Sequence, residues 1–317
     1  MPATIKNIAV VGAGLMGHGI ALEFAAAGKR VAITDRSSEL VAAAMKRART
    51  GLDALADAGR ISHSDIDPAL SRISPVGTIE EAVADADLMV EAVFENLDVK
   101  RQVFAEADRH APAHAILLSN SSSFMPSLMA AATHRPDRVA VAHYFNPPHL
   151  LPLVEVVRGP ATSDKTIDTV MALYRSIGKH PALVQREVPG FIGNRLQNAL
   201  FREALALVES GVATAEDVDT VVRYGFGRRL AVAGPFEIWE QIGWDLVLTI
   251  GRELFPDIAR NTEPPKILED KVKRGELGTK TGRGFYDWTP ESAEALRGRI
   301  AQALGEMARW DSGEQDV

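Results

Sequence analysis

Residues 7–36 read NIAVVGAGLMGHGIALEFAAAGKRVAITDR. A short apolar run leads into Gly12-Ala13-Gly14-Leu15-Met16-Gly17, a G-x-G-x-x-G, and a helical pattern follows at once. Taken alone, three glycines specify only a tight turn. Placed between a strand and a helix they specify more. The first permits the turn, the second lets backbone N–H groups approach a pyrophosphate, and the third lets helix and strand pack closely. The pyrophosphate then lies at the positive end of the helix. The next strand, RVAIT, ends against Asp35, 18 residues past Gly17. That is close to the roughly 20-residue spacing at which a carboxylate takes a ribose 2′-hydroxyl. The pattern predicts a dinucleotide site built by Gly12, Gly14, Leu15, Met16, Gly17 and Asp35. A carboxylate accepts two ribose hydroxyls and repels a 2′-phosphate, so NAD is expected rather than NADP. Arg36 reads as a solvated loop charge.

The alternation continues beyond this unit. NIAVVG, VAIT, DLMVEAV, AILLS, VAVAHY, LVEVV and ALVQ read as strands, and helical spacing runs over 15–27, 38–58, 96–109 and 164–177. Together they predict an α/β fold, a Rossmann-type doubly wound, mostly parallel sheet. After REVPG at 186–190 the texture changes. FIGNRLQNALFREALALVESG reads as one long amphipathic helix closed by Gly211, and Thr214 then caps another with a carboxylate three residues on. The expected division is 1–188 for the sheet domain and 189–317 for an all-helical C-terminal domain.

Composition narrows the function. The chain has 317 residues and a net charge of −7, without the basic stripe of a nucleic-acid binder. It has no cysteine, which removes disulfides, thiolate metal sites and a thiol nucleophile. No metal site is expected. No apolar run approaches the length of a membrane span, and the first residues show no leader pattern. A cytoplasmic protein acting on a small molecule is the expectation.

Hydride exchange between NAD and an alcohol needs a base for the hydroxyl proton, and histidine titrates in the right range. Of the eight histidines, His143 ends the strand RVAVAH, at the sheet edge where ligands of such folds bind. Glu155 stands inside LVEVV, where burying a carboxylate without a partner is expensive. A histidine is a suitable partner, with the solvent face of an edge strand as the alternative.

Here the chain resembles the L-3-hydroxyacyl-CoA dehydrogenase family over nearly its whole length. The matching stretches are VVGAGLMGHGIA, VEAVFENLDVKRQVF, LSNSSS, AHYFNPPHLLPLVEVV, PGFIGNRL, GPFE and LGTKTGRGFYDW. The resemblance implies a catalytic dyad of His143 and Glu155. It also implies that Ser122 and Asn194 hydrogen-bond the substrate oxygens. It places cofactor contacts on Glu95, Lys100, Ser122, Asn146 and Lys280. It further implies a homodimer paired through the helical domain, whose helices carry more apolar residues than a surface helix needs.

Two departures bear on the substrate. Short-chain members of the family tend to carry lysines on the helices after the second strand, where the nucleotide end of CoA is held. TGLDALADAGRIS, residues 50–62, offers only Arg60, with Lys46, Arg47 and Arg49 shortly before it. YGFGRRLAVAGPFE is more similar to the branch that oxidises free hydroxy acids, containing L-gulonate 3-dehydrogenase, lambda-crystallin and carnitine dehydrogenase. There Arg229 would clamp a substrate carboxylate. The sequence reading places a short-chain L-3-hydroxyacyl-CoA narrowly ahead of a free 3-hydroxy acid. A non-catalytic NADH-binding protein of the crystallin type comes third.

Overall fold

The computed structural model describes residues 5–311. Eight strands form one sheet: β1 (Asn7–Val11), β2 (Arg30–Thr34), β3 (Ile73–Pro75), β4 (Leu88–Glu91), β5 (Ile116–Ser119), β6 (Val139–Tyr144), β7 (Leu153–Arg158) and β8 (His180–Val184). Their order is β3-β2-β1-β4-β5-β6-β7-β8. All neighbours are parallel except β6 and β7, which pair antiparallel. This is the doubly wound, mostly parallel sheet the sequence predicts. All seven strands read from the sequence are present. The additional β3 is only Ile-Ser-Pro, too short to show a period.

The connecting helices are α1 (Gly17–Ala26), α2 (Ser38–Asp57), α3 (Ile66–Ser71), α4 (Ile79–Val83), α5 (Leu97–His110), α6 (Pro126–Ala130) and α7 (Asp164–Ser176). Side-chain caps start the long ones: Ser37 accepts from Leu40 N, Asn96 from Val99 N, and Ser163 from Thr166 N.

Successive strand residues point to opposite faces, and the alternation sorts them into two cores. Ile8, Val10, Leu88 and Val90 pack with Phe24, Leu52 and Tyr174. Ala9, Val11, Met89 and Leu117 pack with Phe104 and Met129 on the other side. Each fully buried large side chain of this kind contributes about 1.5–3 kcal/mol. By the same parity Glu91, Ser119, His143 and Glu155 fall on the second face, at the carboxyl ends of β4, β5 and β6 and opposite His143 on β7.

The described residues through Asn194, with those from Arg299 onward, form one compact unit, and Arg195–Gly298 form another. The remaining helices are α8 (Gly193–Glu209), α9 (Ala215–Tyr224), α10 (Phe226–Leu230), α11 (Pro235–Ile242), α12 (Trp244–Leu254), α13 (Lys266–Lys273) and α14 (Pro290–Asp311). The last turns of α14 are grouped with the first unit. Leu304, in those turns, packs on the first-face core cluster to which α1 and α2 contribute.

Within the second unit, Thr214 caps α9 as expected, accepting from Asp217 N. The GRGFYDW segment is tied to this unit's helices: Tyr286 Oη donates to Asp219 at 2.8 Å, and Lys271 Nζ to Gly284 O at 2.6 Å. Among the described residues of this unit, only Leu205 and Ala293 are buried apolar side chains. Phe236, Trp244, Leu248 and Phe255 stay exposed.

The glycine loop is intolerant of a side chain at its third glycine. A Cβ on Gly17 would lie 1.7 Å from the Gly12 carbonyl oxygen, so backbone has to move. Gly17→Ala is expected to cost about 1–3 kcal/mol of stability, read from the denaturant midpoint. A midpoint equal to the wild type contradicts the packing described.

Candidate active site

The glycine loop starts where β1 ends. Gly12 has φ 107°, and a Cβ there would stand 2.5 Å from the Ala92 carbonyl carbon. Gly14 differs: a Cβ there meets nothing within 4 Å, which leaves its backbone open to a ligand. His18, one residue into α1, donates from Nδ1 to Gly14 O at 2.9 Å and so fixes the loop. Met16 packs against the core and Leu15 is exposed.

Asp35 closes the loop from the end of β2. Its carboxylate accepts from Ala13 N at 2.6 Å and from Arg36 N at 2.7 Å. Each oxygen retains a lone pair for a ribose hydroxyl. A cavity of about 600 Å³ runs from Gly12, Gly14 and Asp35 across to Thr78, Ile79 and Val93. A glycine loop at a helix start, a carboxylate at the second strand and a cavity between them fit NAD.

Next along the sheet edge lies a charged network that carries the serine loop. Glu91, fully buried, accepts from Lys100 Nζ at 2.7 Å, Ser119 Oγ at 2.6 Å and Val93 N at 2.8 Å. Lys100 also pairs with Glu95 at 3.2 Å and is only 1% exposed. Glu95 in turn accepts from the hydroxyls of Ser121 and Ser123. Burial alone pushes the Glu95 carboxyl up, but the Ser121 and Ser123 hydrogen bonds and the Lys100 charge outweigh it and hold it below the usual range. Ser121 and Ser123 are thus tied down on either side of an exposed Ser122. Lys100 does not stand at the surface; its ammonium is spent on two carboxylates and on Val93 O.

His143 and Glu155 face each other across the antiparallel pair β6–β7. His143 Nδ1 lies 2.7 Å from Glu155 Oε2, and the residues are 5% and 1% exposed. The other carboxylate oxygen accepts from Ile192 N at 2.9 Å and Gly193 N at 2.8 Å, where α8 begins. Burial pushes the Glu155 carboxyl up; the hydrogen bonds from His143, Gly193 and Ile192 more than reverse this and keep it ionised below the usual range. Gly190 and Phe191 turn these N–H groups inward with φ of 76° and 49°. The left-handed region is uncommon for a residue as bulky as Phe191 and costs on the order of 1–3 kcal/mol. Phe145 and Phe191 pack on the imidazole at ring separations of 4.8 and 5.6 Å. The Nδ1–H is committed to the carboxylate, so Nε2 is the nitrogen left to exchange a proton.

The sequence-predicted residues therefore divide. The first unit holds the glycine loop, Asp35, Glu95, Lys100, Ser122, His143, Asn146, Glu155 and Asn194. Asn146 is exposed in the turn after β6, and Asn194 is half-buried in the first turn of α8. Arg229, in α10, and Lys280, in the loop after α13, are exposed residues of the second unit. Sequence reasoning missed Glu91, Ser119, Phe145, Phe191 and the two α8 N–H groups. Glu91 was within reach, since a carboxylate in DLMVEAV poses the same question as Glu155 in LVEVV.

Comparison with known proteins agrees with this geometry at the level of family. Residues 7–188 match the 3-hydroxyacyl-CoA dehydrogenase NAD binding domain, and residues 190–288 the C-terminal domain of the same family. The chain is 34% identical over 320 residues to the 5-formyl-3-hydroxy-2-methylpyridine 4-carboxylate 5-dehydrogenase of Mesorhizobium japonicum, covering 98% of this chain and 100% of that one. It is 39% identical over 290 residues to a probable 3-hydroxybutyryl-CoA dehydrogenase of Bacillus subtilis, covering 91% and 99%. A crystal structure of a 5-formyl-3-hydroxy-2-methylpyridine 4-carboxylic acid 5-dehydrogenase, described as an NAD+-dependent dismutase, superposes with a TM-score of 0.92 at 32% identity, covering 98% and 100%. The chain is a member of the 3-hydroxyacyl-CoA dehydrogenase family and an NAD-dependent oxidoreductase.

Proposed function

We propose that this oxidoreductase interconverts a hydroxyl and a carbonyl group on a small free carboxylic acid. His143 Nε2 takes the hydroxyl proton in oxidation and returns it in reduction. Glu155 holds the ring in the Nδ1–H tautomer and stabilises the imidazolium as it forms. The Ile192 and Gly193 N–H groups keep Glu155 ionised in that role. Ser122 and Asn194 donate to the substrate oxygen as negative charge develops on it. NAD, when bound, supplies the hydride acceptor. Gly12, Gly14, Leu15, Met16, Gly17 and Asp35 hold it, with Glu95 and Asn146 alongside and Lys100 acting through Glu95. The roles of Arg229 at the substrate carboxylate and Lys280 at the cofactor rest on the sequence resemblance.

The observation that carries the free-acid reading is the state of the cations around α2. Arg47 donates to Ala13 O at 2.8 Å, Arg49 pairs with Asp67 at 2.8 Å, and Arg60 donates to His149 O at 2.8 Å. In addition α14 lies against the end of α2: a Cβ on Gly305 would be 3.8 Å from Ala58 Cβ. The ground where the family resemblance places the CoA nucleotide thus keeps the exposed Lys46 and Arg49 as its outward cations, the other two being turned onto backbone carbonyls. The relative matched over its whole length is named for a pyridine 4-carboxylate. The short-chain L-3-hydroxyacyl-CoA reading, first from sequence, is the second here; the Bacillus relative favours it.

The many exposed large apolar residues of the second unit support a homodimer paired through that unit, since an interface would cover them.

Three measurements test these readings. His143→Gln is expected to lower kcat by about 10²–10⁴-fold with NADH affinity nearly unchanged; retention of most turnover removes the dyad. NADH oxidation is compared with acetoacetate and acetoacetyl-CoA, and NAD reduction with L-gulonate and L-carnitine. Turnover is expected with free acids, and turnover confined to the thioester establishes the second reading instead. Gel filtration at micromolar concentration is expected to give twice the 34.2 kDa chain mass; a clean monomer refutes the dimer.

A further inference from the structure

The turn of residues 145–152 joins β6 to β7 and therefore joins the two strands that carry the dyad. Three of its backbone carbonyls are held by cations from elsewhere in the first unit. Lys179 Nζ donates to Pro148 O at 2.7 Å and Leu151 O at 3.2 Å, and pairs with Glu23 at 2.6 Å. An ammonium has three N–H groups, and all three are used. Arg60 donates to His149 O at 2.8 Å and lies 3.9 Å from the same Glu23.

This is an unusual way to hold a turn. The Lys179 side chain is 0% exposed and that of Glu23 4%, and desolvating such a pair is costly unless every hydrogen bond is made. Glu23 belongs to α1, the helix that opens at the glycine loop. The turn is also seated directly on α1: a Cβ on Gly19 would stand 2.4 Å from Pro148 Cγ. Burial, then the charges of His18, Lys179 and Arg60, pull His149 down to about 4, so its ring adds no positive charge to the turn at neutral pH. At the other end of the same turn stand Phe145, packed on the His143 ring, and the exposed Asn146.

We infer that Lys179, Glu23 and Arg60 form a positioning clamp that sets the 145–152 turn, and with it Phe145 and Asn146, for the reaction at His143. The inference rests on the dyad reading given above. It makes one carboxylate on the nucleotide helix the counter-ion for the cations that hold the catalytic turn. The clamp touches neither substrate nor cofactor; it acts through the turn.

A structural role and a positioning role separate in a double variant. Lys179→Met leaves Glu23 buried without its ammonium and is expected to lower the thermal midpoint. Lys179→Met/Glu23→Leu removes both charges at similar volume, and such replacements are often neutral for stability. It still leaves Pro148 O and Leu151 O without their donor. The midpoint is therefore expected to recover in part, the buried charge being gone, while kcat stays down about 10–100-fold, since small misplacements around a reacting centre have effects of that order. KM for NAD is expected to rise by a smaller factor than kcat falls, because Asn146 is one cofactor contact beside those of the unaltered glycine loop. Hydrogen exchange is expected to accelerate at the amides of residues 145–152. Recovery of kcat along with the midpoint overturns the inference, and so does unchanged exchange in the turn.

If the double variant fails to fold, Arg60→Met decides. That side chain is 23% exposed, and losing its bond to His149 O is expected to lower kcat severalfold in a folded protein; unchanged kcat overturns the clamp. Failure of the dyad reading is distinguishable, because an active His143→Gln enzyme has no bearing on exchange in the turn.

Discussion

The first unit depends on one carboxylate placed where carboxylates are expensive. Glu155 is 1% exposed in an apolar strand, and its charge is tolerable because both oxygens are satisfied, one by His143 and one by two backbone N–H groups. Removing one partner from a buried pair of this kind costs about 3–5 kcal/mol. Much of the local chain follows from meeting that demand. β7 has to run antiparallel to β6 to bring residue 155 opposite residue 143. Phe191 has to take a left-handed conformation to aim the N–H groups at the start of α8. Gly193 has to lack a side chain, because a Cβ would stand 2.5 Å from the Phe145 ring.

The same logic is repeated along the edge of the sheet. Glu91 meets Lys100, Ser119 and a backbone N–H, and Glu95 meets Lys100 and two serines. On the opposite face Glu23 meets Lys179 and Arg60. In each case a carboxylate organises a loop at the carboxyl edge: the turn into α8, the serine loop, or the turn between β6 and β7. Such networks hold geometry closely because a half-satisfied version costs more than an apolar core.

How much of this was legible depended on the separation of the partners in sequence. The glycine loop and Asp35 lie within one strand–helix–strand unit, and local period and spacing were enough to read them. His143 and Glu155 are 12 residues apart on adjacent strands, and each carried its own local signal. Glu91 carried the same signal, but its partners are split between α5 and β5, so no single stretch displayed the network. Glu23 and Lys179 were invisible. A glutamate in a helix and a lysine after a glycine both read as surface charges, and only the packed sheet brings them to 2.6 Å. The return of α14 to the first unit was hidden for a related reason, since Leu304 looks like any apolar helix residue until its receiving surface exists.

The arrangement of cations also bears on what the site admits. A chain with a net charge of −7 attracts anions only where positive charge is concentrated and free. Here Lys100, Lys179, Arg47 and Arg60 are turned toward carboxylates or backbone carbonyls of the first unit and serve to hold its loops. A ligand with several phosphates outside the dinucleotide site needs several uncommitted cations and would have to compete for these. A ligand with one carboxylate needs a single guanidinium, bound bidentately. The internal demands of the fold thus support the proposed reading of a compact acid as substrate over a long polyanionic thioester.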